Sequence, residues 1–125
     1  MTTDTLATPW SVTYHDGSGN GFHFRQASEA EGVHFEYAPV TPETSSSGLY
    51  SGGQAKQGAV NAEHVEELWQ WVFKLESETS LHTPARMMGT GAFNVTTASG
   101  ARRFMVKNGP LLRAFNTFLL QLRDE

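Results

Sequence analysis

The chain has 125 residues, 38% of them hydrophobic and 18% charged, the size and composition of one folded domain with an apolar core. It has no cysteine, which excludes disulfide scaffolds, zinc ribbons, iron–sulfur sites and cysteine nucleophiles together, and a reducing, cytoplasmic setting is expected. The net charge of -4 argues against broad affinity for phosphate backbones, so nucleic acid ranks last among partners. No run approaches the roughly 18 apolar residues of a membrane helix, and the opening residues read as no signal peptide.

Residues 1–9 are polar and Thr-rich and read as a loose lead-in to a single domain over 10–125. Trp10, Val12 and Tyr14 alternate with polar residues, the period of a half-buried strand. The turn-rich run from Asp16 to Gly21 follows, and GFHFRQ over 21–26 alternates again, so the two segments predict a β-hairpin. Val33, Phe35 and Tyr37 mark a third strand, ended by Pro39 and Pro42. Residues 41–58 are dense in Ser and Gly and read as a long loop, a class usually either functional or disordered.

Asn61 is a good N-cap, with Glu63, Glu66 and Glu67 suited to the positive end of a helix. Val65, Leu68, Trp69, Val72 and Leu75 follow at helical spacing, and the helix is expected to end near Ser80. Residues 81–91 read as a connector punctuated by Pro84, Gly89 and Gly91. Phe93 and Val95 mark a fourth strand, Phe104 and Val106 a fifth. Pro110 opens a second helix whose stripe is Leu111, Phe115, Phe118, Leu119 and Leu122. The order βββ-α-ββ-α predicts an α+β, two-layer sandwich: a mainly antiparallel five-stranded sheet with both helices on one face.

Alternation then assigns the far face of that sheet. It carries Ser11, Thr13, His15, His23, Arg25, His34, Glu36, Asn94, Thr96, Arg103, Met105 and Lys107. Three histidines and three cations share this surface, and histidine changes charge near neutral pH. The bland reading is the solvated side of an antiparallel sheet. The functional reading is a recognition surface for a protein partner, a second copy of the chain, or a small anionic ligand.

Other motifs are weaker. Asp16, Ser18, Asn20 and Gly21 match the opening of a calcium loop, but the twelfth position is Ala27 rather than a bidentate Glu, so a hairpin turn is expected. The run from Gly48 to Gly53 has neither P-loop nor nucleophile-elbow spacing. Arg86 stands near Thr90 between Gly89 and Gly91, where a guanidinium and exposed amides could hold an anion. Trp69 is expected in the core, and Trp71 either there or at a partner contact. No histidines have metal-ligand spacing on a helix. No catalytic residue, metal site or cofactor is therefore assigned. The leading expectation is a non-enzymatic interaction module using His23, Arg25, His34 and Arg103 or the Ser/Gly-rich loop. The rival is a small enzyme or anion-binding domain centred on Arg86, Thr90, Ser51 and a nearby His.

Overall fold

The structure is a computed structural model that describes residues 8–17, 19–28, 31–40, 55–84, 89–98 and 100–124. The run expected to form the first turn does so through its own side chains. Both carboxylate oxygens of Asp16 accept from Asn20, at 2.9 Å from its backbone N–H and 3.0 Å from Nδ2. Asn20 Oδ1 in turn accepts from the Val40 backbone N–H at 2.8 Å. This is the local Asx chemistry that favours a turn, and it joins β1 (Trp10–His15) to β2 (Gly21–Gln26) as an antiparallel hairpin.

Next come β3 (Val33–Ala38), β4 (Lys56–Val60), α1 (Ala62–Ser77), β5 (Gly91–Thr97), β6 (Gly100–Val106) and α2 (Pro110–Arg123). The sheet has the order β4-β3-β2-β1-β5-β6, and every neighbouring pair is antiparallel. The α+β class with helices against an antiparallel sheet is as expected, but among the described residues the sheet has six strands rather than five. The additional strand, β4, lies at the end of the segment expected to be loop. KQGAV carries no period-2 alternation because it is an edge strand, exposed along Gln57, Gly58 and Ala59. The rest of the expected loop, 41–54, lies outside the described residues.

Asn61 caps α1 as its residue type predicts, its Oδ1 accepting from the His64 backbone N–H at 2.8 Å. The helix ends at Ser77, short of Ser80, and the chain tightens into a 3₁₀ turn at Thr79–Leu81. The connector that follows is more than punctuation. Its Thr83 N–H donates to Met105 O at 3.0 Å, and Leu81 O accepts from the Lys107 N–H at 2.8 Å. That short stretch covers part of the outer edge of β6, with His82 bridged to Val106.

Both helices meet the same face of the sheet. Trp10 of β1 and Trp69 of α1 make an edge-on ring contact at 5.1 Å. Phe115 of α2 lies 5.1 Å from Tyr14 and 5.4 Å from Phe93, on that same side of β1 and β5. The Tyr14 hydroxyl donates to Asn116 Oδ1 at 2.6 Å, giving the buried ring a polar anchor on α2. Lys56 Nζ donates to the Arg123 carbonyl, and the Arg123 guanidinium lies 5.0 Å over the Tyr37 ring, tying the end of α2 to β3 and β4. Near β6, Arg102 Nε meets Glu76 Oε2 at 2.6 Å. Trp69 Nε1 is the one buried side-chain polar atom among the described residues with no hydrogen-bond partner. Among the described residues no helix is long and apolar enough to cross a membrane.

Candidate functional site

The strand registers turn the far face of the sheet into ordered rows. One row crosses all six strands as Gln57, Glu36, His23, Thr13, Asn94 and Arg103, each opposite its neighbour. The next reads Ala59, His34, Arg25, Ser11, Thr96 and Ala101. Directly opposed side chains in an antiparallel pair are close enough to interact, with Cβ atoms about 4.5–5.5 Å apart. Within the first row Thr13 Oγ1 and His23 Nδ1 are 3.2 Å apart. Arg25 and Arg103 are exposed, and His23 and His34 are half-buried.

Alternation alone therefore placed His23, Arg25, His34 and Arg103 on one face, as expected. Register is what separates them. Arg25 and His34 stand opposite each other, whereas His23 and Arg103 belong to the other row with Thr13 and Asn94 between them. Gln57 was missed because it lay inside the supposed loop. An extended edge segment pairing with His34 and Glu36 is visible only once β4 is in place.

Beyond Arg103 the face deepens. A groove of about 480 Å³ is lined by Thr83, Pro84, Ala92, Asn94, Arg103 and Met105, with Phe93 and Phe104 contributing. One cation and one amide thus border an apolar floor, a combination that suits a small amphiphilic anion. The wall at Thr83 and Pro84 comes from the connector pinned to β6.

The rival centre fares differently. Ser51 and Arg86 lie outside the described residues, and Thr90 is buried, 1% exposed, at the entry to β5. Trp69 is fully buried, while Trp71 is half-buried with its ring 5.9 Å from Phe115. Trp71 also borders a groove of about 490 Å³ along α1, whose other walls are Glu63, Glu66, Glu67, Gln70 and Lys74. The acidic side chains of α1 and the basic side chains of the open sheet face therefore occupy separate regions. Net charge conceals this division.

Among the described residues no three His, Asp or Glu side chains converge as a ready metal shell. No protein-family model matches this chain, and no curated protein sequence matches it.

Proposed function

We propose that this chain is a non-enzymatic binding module of two layers, with the helices as one layer and the sheet presenting its open face to an acidic protein surface. The observation that carries the reading is the six-strand polar row ending in Arg103, beside the row that holds Arg25 and His34. A solvated face needs only polar residues. Here Arg25 and Arg103 stand exposed on the open face with His23 and His34 half-buried on the same face, an arrangement that can steer an oppositely charged partner. Two such faces brought together would oppose like charges, so an acidic partner is favoured over pairing of the open faces of two copies.

The test uses the triple variant His23→Ser, Arg25→Ser, His34→Ser with an acidic peptide such as polyglutamate, followed by fluorescence anisotropy. Binding should weaken about tenfold or more, roughly 1.4 kcal/mol. In the unsubstituted chain it should fall steeply with ionic strength, as screening predicts. Equal affinity in the two proteins would overturn the reading. The groove beside Arg103 favours a second reading, a site for a small anionic ligand, for which Arg103→Ser rather than the triple variant should abolish binding.

A further inference from the structure

We infer that His15 and His23 form a two-imidazole site for a late first-row divalent cation, the class of Ni²⁺, Cu²⁺ and Zn²⁺, seated above the bare Cα of Gly21. His15 closes β1 opposite Gly21, and His23 lies two residues further along β2, opposite Thr13. The imidazoles are thus diagonal neighbours on the open face. Their centroids are 6.0 Å apart and their planes 85° from parallel.

Gly21 explains where the rings point. A Cβ built there would lie 3.0 Å from His23 Nε2 and 3.4 Å from His15 Nε2. Both Nε2 atoms therefore border one small space that any side chain at position 21 would fill. Among the described residues the glycines with left-handed backbone are Gly19, Gly89 and Gly100, so Gly21 is not required by its dihedral angles. A glycine inside a strand without that need marks a bulge or a close approach, and here β1 and β2 pair without a bulge.

Thr13 sets the electronic state of one donor. With Nδ1 protonated and donating to Thr13 Oγ1 across their 3.2 Å separation, His23 Nε2 keeps its lone pair for a metal. Metal binding would select this tautomer, since the 3.2 Å contact accommodates donation in either direction. Imidazole nitrogen suits Zn²⁺, Cu²⁺ and Ni²⁺ and serves Mg²⁺ and Ca²⁺ poorly. Metal–nitrogen bonds of about 2.0–2.1 Å require both rings to turn toward the space they share over Gly21. Glu36, opposite His23 on β3, is the carboxylate placed to offset the charge, and Arg25 in the neighbouring row opposes it. Water completes the shell, so the site is exchangeable rather than structural. The inference shares His23 with the acidic-partner reading, and His15 and Gly21, which lie outside the triple serine variant, separate the two.

The experiment titrates tag-free full-length protein with Zn²⁺ by calorimetry and with Ni²⁺ by NMR. One equivalent of Zn²⁺ should bind reversibly to chelator. Ni²⁺ should selectively broaden the ring signals of His15 and His23. His15→Asn and His23→Asn should each weaken binding at least tenfold, and Gly21→Ala should do so with the amide spectrum otherwise retained. Thr13→Val should weaken it by a few-fold and shift the His23 ring nitrogen resonances. Ca²⁺ in excess should not compete. Absence of binding, or binding that survives either histidine substitution, would overturn the proposal.

Discussion

The two faces of this sheet are built from the same strands and obey opposite rules. On the helix side Val12, Tyr14 and Val95 are fully buried, and the Tyr14 ring packs against Phe93 and Phe115. On the open side the alternate residues of those strands, Thr13 and Asn94, sit in a row of hydrogen-bonding groups that reaches the solvent. Removal of apolar area from water drives the first face to one packed arrangement. Nothing comparable constrains the second, so its composition is free to serve recognition. The fold and the proposed site are thus separable at the level of single residues.

The largest expected effect breaks the covered face. Phe115→Ala removes a fully buried ring in contact with Tyr14, Phe93, Trp71 and Phe118. It should cost about 3–5 kcal/mol in urea unfolding, a large part of a small domain's stability. Asn61→Ala tests a helix that belongs to that face only through its packing. Loss of the bond to the His64 N–H should cost about 1 kcal/mol without changing the denaturant slope. Each single serine substitution on the open face, at His23, Arg25 or His34, should lose least, within about 0.5 kcal/mol. A loss near that of Phe115→Ala would mean that the open face supports the fold and would dissolve the comparison.

Much of this was legible because alternation is a physical requirement wherever one face of a strand is buried. Trp10 to Tyr14, 21–26 and 33–37 announced themselves that way, and Asn61 announced α1 through its capping chemistry. β4 stayed hidden for the converse reason. An edge strand with Gly58 at its centre and exposed neighbours has no burial pattern to display. The members of the open face were readable too, but not their order along it. Register is set by the Asp16–Asn20 turn and its hydrogen bonds, and only register reveals that His15 and His23 border the same space over Gly21. Thr90 shows the reverse failure, since a polar residue between two glycines gave no sign that it would be buried.

The strand order has a consequence for how the chain reaches this state. β1 to β4 form a meander in which every partner is a near neighbour in sequence, and β5 with β6 form a second local hairpin. The two pieces are joined at β1 and β5, where Val12 pairs with Val95 and the whole intervening chain, α1 included, must close as one loop. Closure of a long loop is an entropic debt incurred before the contact returns anything, which places this pairing late on the folding route. Truncation of Val95 to Ala should therefore mainly accelerate unfolding, with a φ-value near zero, whereas truncation of Phe24 in the meander should slow folding itself.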